Sequence, residues 1–207
     1  VVAVLSRVGK VAAATTAAVL IERFGVDRIV FTGTAGGLGD GVRVGDLVLA
    51  DGFVQHDMDA SPLFPRFEVP LYGRARFDTD AHLSAALCDA ARRAVAAPAE
   101  LVGTRAMAEF GLHAPRVHQG LIVSGDRFVA TGAESAALRQ ALPDALAVEM
   151  EGAAVAQVCH DCAIPFAAVR TISDRADDAA HVDFMRFIDQ VASHYSAAIL
   201  ESYFRSL

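Results

Sequence analysis

The strongest constraint in this sequence is how its apolar residues are parcelled. The runs "DRIVFTG", "VGDLVLAD", "GLIVSGD", "ALAVEM" and "PFAAVRTISD" are apolar almost throughout, and stretches of helical period separate them. Strands with no polar side are buried on both faces. The pattern therefore predicts an α/β fold, with a mostly parallel sheet covered by helices on each side. Ligands of such sheets bind beyond the carboxyl ends of the strands. Four segments fall there, "TGTAGG", "VSGDRF", "VEMEG" and "RTISDRAD", each ending in polar residues or glycine. Ordinary turns explain any one of these well and all four together poorly.

Composition narrows the class. The 207 residues suffice for one sizeable core, so a single domain over 1–207 is expected. With 54% hydrophobic and 21% charged residues, the chain has enough apolar surface to offset the entropy of folding. No apolar run reaches the ~18 residues of a membrane span, and no cleavable signal opens the chain, so a cytoplasmic protein without a membrane partner is expected. A net charge of −7 with a single lysine, Lys10, argues against a nucleic-acid partner. Three cysteines, Cys88, Cys159 and Cys162, form no disulfide framework, and "CHDC" without a second CxxC reads as small residues on one helical turn.

Along the chain, "VVAVLS" reads as a short buried strand and "GKVAAATTAAVLIERFG" as a helix closed by Gly25. "GTAGGLGDG" reads as a glycine-rich loop. Residues 60–77 hold three prolines and four aromatics with no period, and are expected to be an irregular loop serving function or an interface. Helices are expected over "DTDAHLSAALCDAARRAVA", "GAESAALRQAL", "EGAAVAQVCHDCA" and "DFMRFIDQVASHYSAAILESYF".

Several motifs are absent. The glycine loop does not fit G-x-G-x-x-G, and Gly9-Lys10 lacks the upstream glycine of a P-loop. Gly36 and Gly37 suit close backbone approach to a flat ligand. His56, Asp57 and Asp59 have ligating side chains, but loop carboxylates more often cap turns or face interfaces, so no metal and no cofactor are expected. His181 and His194 read as helix-surface or cap residues.

The acidic residues at strand ends are the chemical signal. Glu149 and Glu151 flank Met150 where a strand meets a helix. For Glu149 the better reading is structural, a carboxylate held by backbone N–H groups and an arginine such as Arg170. For Glu151 it is ligand binding, because a carboxylate at a pocket rim can accept two hydroxyl hydrogens of a ribose diol. Asp174 ends an apolar strand. It can serve there as a proton donor or as the cap of the next turn.

"TGTAGGL", "VGDLVLADGFVQHDMD", "GLIVSGDRF" and "AVEMEGAAVAQVCHDCAIPFAAVRTISDRAD", in this order and spacing, resemble the bacterial 5′-methylthioadenosine/S-adenosylhomocysteine nucleosidases of the nucleoside phosphorylase superfamily. The resemblance implies a three-layer α/β fold and hydrolysis of a purine N-glycosidic bond. By it, Asp174 is the general acid at purine N7, with Ser173 beside it. Phe128 stacks on the base and Val129 meets its edge. Met150 and Glu151 contact the ribose, with Glu149 next to them. Thr34, Ala35 and Gly36 line the sugar side, Arg170 lies near the attacking water, and Phe184 covers the alkylthio pocket. The implied partners are a small purine nucleoside and a second copy of the chain, whose contribution would give the loop around Phe64 its use. The family's first strand also carries a "GAMxxE"-like segment whose glutamate activates the water. No glutamate here matches it, so either an N-terminal strand segment is missing from these 207 residues or the protein is a degenerate relative.

Overall fold

The computed structural model describes residues 1–176 and 184–206. The apolar runs become strands β1 (Ile29–Gly37), β2 (Leu47–Gln55), β4 (Val117–Ser124), β5 (Ala145–Glu149) and β6 (Phe166–Asp174), and a short β3 (Arg76–Asp78) adds an edge. The helices are α1 (Lys10–Phe24), α2 (Ala81–Ala96), α3 (Pro98–Glu109), α4 (Gly132–Ala141), α5 (Gly152–Asp161), α6 (Phe184–Phe187) and α7 (Ser193–Phe204). The strands form one mixed sheet in the order β3-β2-β4-β5-β1-β6, and β6 also pairs with β2. The long ladders, β2 with β4 and β1 with β6, are parallel.

Consecutive side chains of a strand point to opposite faces, and here both faces are covered. On β2, Val48 packs in the core shared with α1 and α5, whereas Leu47 and Leu49 pack in the core shared with α2, α3 and α7. All three are fully buried. Each leucine so placed contributes about 1.5–3 kcal/mol relative to exposure.

The helix ends follow local chemistry. Gly25 takes the left-handed conformation, φ 60°, that closes α1. Asp80 caps α2 by accepting from the Leu83 N–H at 2.8 Å. Thr131 and Glu134 cap α4 reciprocally.

β1 and β5 are antiparallel, yet they pair only at Gly36–Val148 and Gly37–Ala147. The overlap is confined to their last residues. Both carboxyl ends therefore meet, and those of β4 and β6 lie beside them through the parallel ladders. This convergence creates the site.

Three sequence expectations are corrected, and one helix had not been expected. "VVAVLS" is not a strand: its backbone pairs with no strand among the described residues, and Val1, Val4 and Leu5 are exposed. Apolar composition without a partner strand does not make a ladder. "GTAGG" is not loop but the end of β1. A Cβ at Gly36 would lie 3.0 Å from an Asp174 carboxylate oxygen, and one at Gly33 would lie 2.5 Å from Arg170 Nη1. Helix α3 had no sequence expectation, because a break at Gly103, φ 82°, interrupts its period. The terminal helix is interrupted by a π turn over Ile188–Ala192.

Candidate active site

Where the strand ends converge there is a cavity of about 260 Å³. β1 supplies Thr34, Ala35 and Gly36, the segment after β4 supplies Phe128 and Val129, and the β5–α5 junction supplies Glu149, Met150 and Glu151. Ser173 and Asp174 enter from β6, and Phe184 from α6. Eleven of the twelve residues singled out in the sequence thus surround one space. Arg170 does not line it. Its guanidinium is buried one layer behind, over the Phe31 ring at 4.1 Å, and pairs with Glu149.

The two glutamates part because the chain leaves its strand between them. Glu151 is the residue before α5, with non-helical backbone angles of φ −135° and ψ −41°, so the chain turns between them. Glu149 points inward. It accepts from the Ser124 hydroxyl, from the Glu151 and Gly152 N–H groups and from the Arg170 guanidinium, and the Glu149 and Arg170 side chains are each only 2% exposed. A carboxylate at a helix N-terminus with this many donors is held by the fold.

Glu151 is only partly buried. One oxygen accepts from the Gly9 N–H at 2.9 Å, and among the described residues no hydrogen bond reaches the other. Burial raises its pKa above the ordinary value; the Gly9 donor opposes this and the Glu149 charge adds to it. A desolvated carboxylate with one open oxygen suits a ligand that brings hydroxyl groups or positive charge.

Asp174 is oriented by its neighbours. One oxygen accepts from the Ala176 N–H and the other from the Ser173 hydroxyl, each at 2.7 Å. The first bond is the turn-capping contact expected as an alternative role, and it coexists with a place on the cavity wall. Opposite, the Phe128 and Phe184 rings meet edge to face with centroids 6.2 Å apart. They form an aromatic wall.

Val8, Arg127, Val148 and Ile188 also line the cavity and were not singled out. Two of these had a signal. Arg127 lies inside the "GDRF" string, and Ile188 stands four residues after Phe184, close to one turn on the same helical face. Val8, in an exposed segment before α1, had none.

Asp57 is engaged by the Lys10 ammonium at 2.6 Å and by the Asp126 N–H, while Asp59 accepts from Ser61. Among the described residues, no group of three or more His, Cys, Asp or Glu is arranged to hold a metal ion. His194 is exposed on α7. Asp177, Asp178 and His181 lie outside the described residues. None of the described helices is long and apolar enough to cross a membrane.

Comparison with known proteins agrees with this geometry. A 5′-methylthioadenosine/S-adenosylhomocysteine nucleosidase of Shewanella denitrificans is 36% identical over 195 residues, 94% of this chain and 76% of the relative. The crystal structure of the Neisseria meningitidis nucleosidase of that name, in complex with methylthio-immucillin-A, superimposes with a TM-score of 0.82 at 38% identity, covering 98% of this chain and 80% of that one. A futalosine hydrolase of Helicobacter pylori superimposes with a TM-score of 0.79 at 32% identity, covering 98% and 78%. The sequence pattern of the family described as Phosphorylase superfamily matches residues 1–205, and the chain belongs to that family.

Proposed function

We propose that the chain hydrolyses the N-glycosidic bond of 5′-methylthioadenosine and S-adenosylhomocysteine, releasing adenine and the 5-thioribose product. The observation that carries this reading is that Asp174, at the end of β6, and Glu151, at the β5–α5 junction, line one cavity of about 260 Å³.

The reaction needs those residue types. As the C1′–N9 bond breaks, its electron pair passes to the purine and the sugar becomes cationic. Asp174 gives a proton to purine N7, so that the base leaves neutral. Glu151 accepts from the ribose hydroxyls with its open oxygen and lies where positive charge develops. A water oxygen then bonds to C1′ and gives its proton to bulk solvent, from which the Asp174 carboxylate regains the one it gave to N7. Phe128 stacks on the base, Val129 meets its edge, and Thr34, Ala35, Gly36 and Met150 enclose the sugar. Phe184 covers the 5′-substituent. Ser173 fixes the Asp174 rotamer, and Glu149 with Arg170 acts through the β5–α5 turn rather than on the ligand.

A cytoplasmic setting agrees with three free cysteines, Cys88, Cys159 and Cys162. A homodimer is supported by the loop over 60–77, where Leu63 and Leu71 are 83% and 92% exposed.

The test is adenine release from methylthioadenosine and from S-adenosylhomocysteine in phosphate-free buffer, with inosine and futalosine as competing substrates. Turnover of the two thioethers without phosphate is expected. Strict dependence on phosphate would make the protein a phosphorylase, and preference for futalosine would move it to the other hydrolase named above.

A further inference from the structure

Helix α1 begins unusually. It has fifteen residues, no acidic residue in its first turn and no side-chain cap from Gly9, yet its first N–H groups are not left to solvent. They are taken by two carboxylates from distant parts of the chain: Gly9 N–H by Glu151, and Lys10 N–H by Asp126 at 2.7 Å. The Lys10 side chain turns back over the same place. Its ammonium, in a side chain 17% exposed, donates to Asp57 at 2.6 Å and to Gln55 at 3.1 Å. Asp57 in turn accepts from the Asp126 N–H at 2.9 Å.

These contacts close a ring. It runs from the Lys10 ammonium to the Asp57 carboxylate, to the Asp126 backbone, to the Asp126 carboxylate and back to the Lys10 N–H. The ring is tightly built. A Cβ at Gly9, whose φ is 94°, would stand 3.1 Å from the Asp126 carboxylate, and one at Gly125 would stand 3.1 Å from Asp57 Cγ and 2.5 Å from the His56 ring.

None of the ring's three residues lines the cavity, but both of its exits lead there. On one side lie Val8 and the Gly9 N–H that holds Glu151; on the other lie Arg127, Phe128 and Val129, which follow Asp126 directly. We infer that Lys10 is a positioning residue that locks the sugar-facing carboxylate Glu151 and the base-facing segment 127–129 into one geometry by clamping Asp57 and Asp126 to the start of α1. Without the ammonium, the Asp57 carboxylate that holds the Asp126 N–H has no counter-charge, and the turn that carries the base-facing residues loses its anchor. Lys10 is the only lysine in the sequence. Its flexible stem presents one charge to Gln55 and Asp57 together.

The inference rests on the nucleosidase reading, and its test has one arm that does not. In steady-state assays with methylthioadenosine, Lys10→Met is expected to raise KM by ~10-fold or more while kcat changes less than ~3-fold, because ground-state placement of base and sugar is lost while Asp174 is untouched. Lys10→Arg should recover most of the KM. In the second arm, hydrogen exchange of the backbone amides of residues 125–129 is expected to speed up in Lys10→Met and equally in Asp57→Asn, which removes the other half of the pair at constant size. Wild-type protein that turns over no thioether nucleoside overturns the proposed function and leaves the exchange arm to decide the clamp. Unchanged KM, or exchange at 125–129 no faster than in wild type, overturns the role given to Lys10. So does a loss confined to kcat.

Discussion

Glu149 and Glu151 are two residues apart in sequence and opposite in circumstance. Glu149 is buried and meets four donors: a hydroxyl, two backbone N–H groups and a guanidinium. Glu151 is half-buried with one backbone donor and one open oxygen. A buried carboxylate whose lone pairs are all engaged has nothing left to offer a ligand, and its energy is already committed to the fold. One that is desolvated but incompletely paired is costly until something arrives. The difference separates scaffold from chemistry at one strand end, and Asp174, oriented by Ser173 and Ala176 on the same cavity, stands with Glu151.

The largest effect should come from the scaffold side. Glu149→Ala leaves the Arg170 guanidinium buried with no counter-charge, and is expected to reduce unfolding free energy by about 3–5 kcal/mol, read from the denaturant midpoint. A loss below about 1 kcal/mol would break the comparison. Next, Asp174→Asn keeps both orienting contacts possible and removes the proton. Turnover should fall ~10²–10⁴-fold with little change in melting temperature.

Glu151→Gln sharpens the contrast because its two readouts move in opposite directions. kcat/KM should fall ~10²-fold, whereas the ligand-free protein should melt higher than wild type. The sign follows from burial: the folded pKa of Glu151 lies above its ordinary value of 4.5, so its charge opposes folding increasingly as pH rises through the folded pKa. The gain should be largest near neutrality and vanish below the ordinary value. If the variant melts lower at neutral pH, Glu151 belongs with Glu149.

The smallest effect concerns His56, whose buried Nε2 has no hydrogen-bond partner among the described residues and whose pKa burial lowers from 6.5, the Lys10 charge adding to the shift. A depressed histidine favours the folded state above its unfolded pKa, and that contribution is lost as pH falls through the folded one. The decline in melting temperature on acidification from pH 6.5 should be shallower in His56→Gln by a few degrees at most.

The sequence carried the site better than it carried the chain entry. Strand ends such as "VEMEG" and "ISD" are legible because charge interrupts a long apolar run, and the cost of burying a carboxylate makes such an interruption informative. The structural reading of Glu149, with Arg170 as its partner, needed only that cost. The place of Arg170 behind the cavity rather than on its wall was not legible, because it depends on the space that Gly33 leaves for the guanidinium. "VVAVLS" misled for the converse reason: apolar composition reports what a segment can pair with, not whether a partner strand adjoins it. Helix α3 was hidden by Gly103, and the remote caps of α1 were invisible because no local pattern records a hydrogen bond between residues 9 and 151.

Those remote caps bear on the order of events during biosynthesis. The bond from Gly9 to Glu151 spans 142 positions and that from Lys10 to Asp126 spans 116, so both close very large loops. A ribosome emits the start of α1 long before it emits either acceptor, and the helix must wait with its first amides hydrated. High-separation contacts of this kind form late. The nascent protein can therefore acquire most of its secondary structure while still unable to engage a nucleoside, because the remote caps wait for the β5–α5 junction and the cavity for β6 and α6 behind it.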